Sequence, residues 1–196
     1  MTNVRHRLED ALVAGAIAGV RLLPWPLIDG IGSTVGYLAC AVDGKHRRVA
    51  SQNIAASLPG RPPREHRRIM RAAFAHFGRL LFALLRFSTL SPRAILERTE
   101  VEGEERVRSA YAQGKGVLFV TGHFGYWELQ ALAHGLRFPP MTVLARPLDN
   151  PLLNARLERI RTRTGNGVLY RTGVVRRVMR LLQAGQGVGI LIDQHI

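Results

Sequence analysis

His123 and Glu128 stand five positions apart in the stretch from Val117 to Glu128, which reads VLFVTGHFGYWE. A histidine changes charge near neutral pH, so it can take a proton from a hydroxyl. A carboxylate bonded to its other ring nitrogen fixes the tautomer and stabilises the imidazolium that forms. If His123 lies at the N-terminal edge of a helix and Glu128 in its first turns, the two can meet. Gly122 and Gly125 leave room for a substrate to approach the backbone. Free N–H groups at the helix start could hold an oxyanion. The set suits acyl transfer from a thioester to an alcohol without a protein nucleophile. The competing reading of H-x4-E by itself is a chance spacing around a hydrogen-bonded structural histidine.

Other chemistries find less support. The zinc protease pattern H-E-x-x-H is absent, no other histidine has ligand spacing, and no metal site is expected. There is no P-loop and no G-x-S-x-G elbow. The glycines from Gly185 to Gly189 lack the third glycine and the following helix of a dinucleotide site. A single cysteine, Cys40, excludes an intramolecular disulfide framework and a cysteine-rich metal site.

The elements around His123 follow from periodicity. The apolar run before it has strand length and ends in Thr121-Gly122, and helical spacing runs from His123 to Gly135. From Val101 onward strands and helices alternate. Short apolar runs at Met141 to Ala145, Val168 to Tyr170 and Val188 to Ile192 are separated by helical segments, and Thr99 to Val101 is a candidate strand. This predicts an α/β fold, a mostly parallel sheet flanked by helices. In such sheets ligands bind at the carboxyl ends of the strands.

The amino-terminal half reads as helical: residues 4 to 23, 27 to 42, 48 to 58 and 62 to 87, with DGKHRR from Asp43 as a polar turn. The boundaries expected are 1–98 for this membrane-associating helical region and 99–196 for the α/β core. Periodicity does not distinguish burial of the first two helices in a core from contact with a membrane. No stretch reaches the ~20 uninterrupted apolar residues of a membrane span. The last strand has no following cover, which suggests a chain cut short.

The formal net charge of +14 implies an anionic partner: nucleic acid, an anionic membrane surface, or an acidic or phosphorylated substrate. In the long helix the polar positions are almost all arginine, where a merely solvated face would mix both signs.

Several ordered motifs carry a resemblance that covers essentially the whole chain. TGHFGYWEL resembles the H-x4-D/E block of the glycerolipid acyltransferase superfamily. After it come Ala145-Arg146-Pro147-Leu148-Asp149-Asn150-Pro151-Leu152-Leu153, then Arg161-Thr162-Arg163, then Gly189-Ile190-Leu191-Ile192-Asp193-Gln194. In that order they resemble the bacterial late acyltransferases of lipid A, the lauroyl and myristoyl transferase family. The resemblance implies His123 as general base and Glu128 as its partner carboxylate. It implies substrate-binding roles for Arg146, Asn150, Arg161 and Asp193, with Arg163 a neighbour that could take the place of Arg161. The other reading of Arg161 and Arg163 is a solvated helix face. Tyr126 stands where the family often has Asn, and family members continue well beyond the D-Q motif.

The function so implied is transfer of a fatty acyl chain to a hydroxyl of a glycolipid such as a lipid A precursor. The donor is a thioester on acyl carrier protein or coenzyme A, with no metal or redox cofactor. The implied place is the cytoplasmic face of a bacterial inner membrane, held peripherally or by the amino terminus. Two rival readings stand beside it: a truncated, inactive relative that only binds lipid, and a basic module for lipid or nucleic acid. Nucleic acid is not expected, because no helix-turn-helix, zinc-finger or RNP pattern accompanies the charge.

Overall fold

The computed structural model describes residues 3–170 and 173–193. Gln194 of the D-Q motif lies outside the described residues. The described residues form nine helices and four strands, in two compact units. One unit is Ala16–Thr89. The other joins the segment up to Gly15 with the chain from Leu90 onward.

The second of these contains the sheet. β1 (Val117–Thr121), β2 (Met141–Ala145), β3 (Gly167–Tyr170) and β4 (Gly187–Leu191) lie in the order β1-β4-β2-β3, and every neighbouring pair is parallel. Parallel neighbours need crossovers, supplied here by α7 (Trp127–Arg137), α8 (Pro151–Thr162) and α9 (Val174–Gln183). The α/β expectation therefore holds. β4 is last in sequence but lies between β1 and β2, and its Val188 is fully buried.

Three local expectations differ from the structure. No strand forms at Thr99 to Val101. There the Thr99 hydroxyl donates to Ile95 O, and its carbonyl accepts from Arg137 Nη2 at 2.7 Å, so the segment is held by side chains. The polar turn after Asp43 is instead the first turn of α3 (Gly44–Ser57), because Asp43 caps it by accepting from His46 N at 3.0 Å. Finally, α7 starts at Trp127, not at His123. Gly125 has φ +55°, and Phe124 N donates to Gly122 O at 2.8 Å, so a tight loop precedes the helix.

In the helical unit α2 (Trp25–Val42) packs antiparallel on α4 (Pro63–Phe87). Glycines make the close approach possible. A Cβ at Gly36 would lie 2.2 Å from Phe74 O, and one at Gly78 would lie 2.0 Å from Gly32 O. Backbone cannot yield as a flexible side chain does. Gly36→Leu should therefore lower stability by about 1–3 kcal/mol. An unchanged urea midpoint would show that the helices do not cross this closely.

A buried histidine ties α7 to the segment after it. His134 is 9% exposed, and its Nε2 lies 3.2 Å from both Tyr111 Oη and Pro139 O. Burial pushes its pKa below the usual 6.5, partly opposed by the Pro139 hydrogen bond. The unfolded chain then binds a proton that the folded chain resists. This contribution is complete above the unfolded value of 6.5 and is lost as pH falls toward the lowered folded value. Urea unfolding at neutral pH and at about pH 5 should show stability falling on acidification, and His134→Gln should flatten that slope. An equal slope in the variant would exclude His134 as the source.

Candidate active site

The parallel register of β1 and β4 determines which groups meet. Thr121 pairs with Leu191, and Ile192 N donates to Thr121 O at 3.0 Å. The next residues of each strand, Gly122-His123 and Asp193, therefore stand side by side. His123 N donates to Asp193 Oδ2 at 2.7 Å, and His123 Nδ1 lies 2.8 Å from Asp193 Oδ1. One residue thus engages both carboxylate oxygens. A Cβ at Gly122 would lie 3.2 Å from Asp193 Oδ2, so glycine suits this close approach. These two hydrogen bonds hold the Asp193 carboxyl below the usual carboxylate range. An ionised carboxylate at Nδ1 assigns the proton to that nitrogen and leaves the lone pair on Nε2. The imidazole also meets the Trp127 ring edge to face, with centroids 5.0 Å apart.

Glu128 is elsewhere engaged. It sits in the first turn of α7 and accepts from Arg161 of α8, whose Nε lies 3.1 Å from Oε2 and whose Nη2 bonds Oε1. Their side chains are only 14% and 19% exposed. The carboxylate bonded to His123 is therefore that of Asp193, and the expected His123–Glu128 hydrogen bond is replaced by a Glu128–Arg161 ion pair. The reason lies in the late start of α7. The loop from Phe124 to Tyr126 leaves His123 at the strand end, while Glu128 rides on the helix.

His123, Glu128 and Arg161 all line one cleft of about 570 Å³ beside the carboxyl ends of β1 and β4. Its walls are largely apolar, with Phe119, Trp127, Ala131, Met141, Val143 and Leu191 among them. Gly189 keeps it open, since a Cβ there would come within 3.3 Å of Met141 Sδ and Val143 Cγ1. Arg146 lies at the rim, with its side chain 72% exposed and 3.5 Å from Asp149.

Two expected substrate residues are placed differently. Asn150 is 6% exposed and caps α8 by accepting from Leu152 N and Leu153 N, while its Nδ2 donates to His6 O and Glu9 Oε2. These four bonds match the full capacity of an amide, so Asn150 anchors α1 (Val4–Val20) to α8. Arg163, just past α8, donates to Leu90 O at 3.0 Å and is not on the cleft wall.

A model of the bacterial lipid A biosynthesis acyltransferase family matches residues 2–196. The chain belongs to this family. A lipid A biosynthesis lauroyltransferase of Escherichia coli K12 is 32% identical over 132 residues, which is 67% of this chain and 43% of that protein. A lipid A biosynthesis palmitoleoyltransferase of the same strain is 25% identical over 172 residues, covering 88% of this chain and 56% of that one. A lipid A biosynthesis acyltransferase of Haemophilus influenzae is 22% identical over 132 residues, 67% of this chain and 42% of its own length. The chain thus spans about half the length of these relatives. With the family in view, the pairing of Asp193 with His123 is what residue spacing missed. Its signal was present: both residues follow apolar runs that end a strand.

Proposed function

We propose that this chain carries the acyl-transfer site of a lipid A acyltransferase, moving a fatty acyl group from a thioester to a glycolipid hydroxyl. The observation that supports this best is the His123–Asp193 hydrogen bond at the mouth of an apolar cleft. His123 Nε2 takes the proton of the acceptor hydroxyl as its oxygen attacks the thioester carbonyl. Asp193 holds the ring and stabilises the imidazolium. The tetrahedral intermediate then collapses, the carbon–sulfur bond breaks, and the departing thiolate takes the proton from the imidazolium. The backbone N–H groups of the first turn of α7, with the Arg161–Glu128 pair beside them, would supply the donors to the developing oxyanion.

The apolar walls suit an acyl chain. Acyl carrier protein or coenzyme A would present the donor, and a lipid A precursor would present the acceptor hydroxyl. No helix among the described residues is long and apolar enough to cross a membrane. An anionic membrane surface, the cytoplasmic face of a bacterial inner membrane in this reading, is the proposed partner of the basic surface. It lies where the lipid acceptor would be found.

The test is to incubate the protein with labelled acyl carrier protein or acyl-coenzyme A and a panel of hydroxyl-bearing lipids in detergent. Label appearing in an ester of a lipid A precursor supports the reading. Label released only as free fatty acid, with every acceptor and at every detergent concentration, would count against it.

A further inference from the structure

The helical unit Ala16–Thr89 has a feature of its own, distinct from the His123 cleft. An open cleft of about 950 Å³ lies where the C-terminal end of α2 meets the start of α4. Five arginines line it: Arg47, Arg64, Arg67, Arg68 and Arg71. Arg47 is built into the wall, donating to Cys40 O at 2.8 Å and Ala41 O at 2.9 Å. The other four are exposed. Among the described residues, only Arg68 of these comes within ion-pair distance of a carboxylate, Glu65 at 3.8 Å, and Glu65 is already bonded by Arg61 at 2.6 Å. This whole unit holds eleven Lys and Arg residues against three Asp and Glu. Guanidinium groups that far outnumber the carboxylates around them suit a phosphate, which they can bind bidentately.

A second observation identifies the source of that phosphate. α2 buries one face on α4 through Ile28, Gly32, Gly36 and Cys40. On another face Leu27, Ile31, Val35, Leu38 and Val42 recur at helical spacing, and all five are exposed, Val42 at 83%. Leu38 and Val42 adjoin Tyr37 and Ala41, which form the cleft wall. An apolar stripe that runs into an arginine cluster is the arrangement of a helix lying in a membrane interface. An acidic protein or free phosphate would account for the arginines but not for the stripe.

We propose that this cleft is a headgroup site, taking the phosphate of an anionic membrane lipid while the α2 stripe sits at the acyl boundary. The proposal locates the membrane contact of the function above and so rests on that reading, but its test is separable from the chemistry, because His123→Ala should bind vesicles as the native chain does.

The test is flotation with vesicles of phosphatidylcholine alone and of phosphatidylcholine with roughly one lipid in five replaced by phosphatidylglycerol. Binding should require the anionic lipid and weaken as salt rises. Arg64→Gln with Arg67→Gln and Arg71→Gln should reduce partitioning on the order of a hundredfold, about fivefold per arginine. Removing three exposed arginines of the other unit, Arg5, Arg93 and Arg106, should cost far less. Leu38→Ser should also weaken binding. Far-UV spectra check the fold of each variant, and Arg67→Gln alone stands in if the triple variant misfolds. Equal loss in both triple variants, or full binding to phosphatidylcholine alone, overturns the proposal. An unaffected Leu38→Ser variant, or full displacement by soluble glycerol phosphate, overturns the membrane source in favour of an acidic protein or a free phosphate.

Discussion

Asp193→Asn should lower acyl-transfer turnover by a hundredfold or more, on the order of what positioned acid–base catalysis contributes. It should do so with little change in KM. The amide is nearly the same shape, so Oδ1 can still accept from the His123 backbone or ring. What is lost is the negative charge that stabilises the imidazolium, and with it the reason for the proton to sit on Nδ1. An amide nitrogen turned toward Nδ1 would drive the proton to Nε2 and remove the base. Stability should hardly change, because Asp193 is 43% exposed at its side chain and His123 29%. The carboxyl is held below its usual range, so its contribution is complete above the unfolded value of 3.8 and is lost only as pH falls through the lowered folded value. Loss of turnover in native protein near pH 5 therefore cannot come from protonation of Asp193. A variant with unaltered kcat would show that Asp193 does not serve His123.

Glu128→Ala should behave in the opposite way, with a loss of stability of about 3 kcal/mol or more. The Glu128–Arg161 pair is nearly buried, and removing the carboxylate leaves a guanidinium without its counter-charge. The pair also joins α7 to α8, the two helices that follow β1 and β2. The double variant Glu128→Met with Arg161→Met should recover much of the stability, since it leaves no uncompensated charge. It should recover none of the turnover if Arg161 faces the developing oxyanion. Urea unfolding beside steady-state kinetics separates the two effects. Full stability in Glu128→Ala, with turnover lost as in Asp193→Asn, would return Glu128 to the role of histidine partner.

Much of this site could be read from residue order. The strand before His123, the alternation that makes the sheet parallel and the family itself were all visible in one chain. What could not be read was which carboxylate meets the histidine. Glu128 is five residues away in sequence and Asp193 is seventy, so local reasoning favours Glu128. The choice depends on β4 inserting between β1 and β2, a matter of strand order that periodicity does not carry. The late start of α7 has a similar origin: Trp127 to Gly135 keeps helical spacing back through His123, but the left-handed Gly125 breaks the helix first. Asn150 shows the converse. Its motif suggested substrate contact, while Asn before Pro151 is also the usual signature of a helix N-cap, and the cap is what the structure displays. Periodicity left open what the apolar surface of α2 meets, and only its burial on α4 through the glycine face shows that Leu27, Ile31, Val35, Leu38 and Val42 form a second, uncovered face.

The measurement that bears most directly on the central claim is single-turnover acyl transfer by the native chain and by His123→Ala, from labelled acyl carrier protein to a lipid A precursor. The account predicts ester formation in the native chain, or in a longer chain carrying it, and a loss on the order of a thousandfold in the variant at unchanged thioester binding. Ester formation at an equal rate in both would contradict it, because His123 would then not be the base.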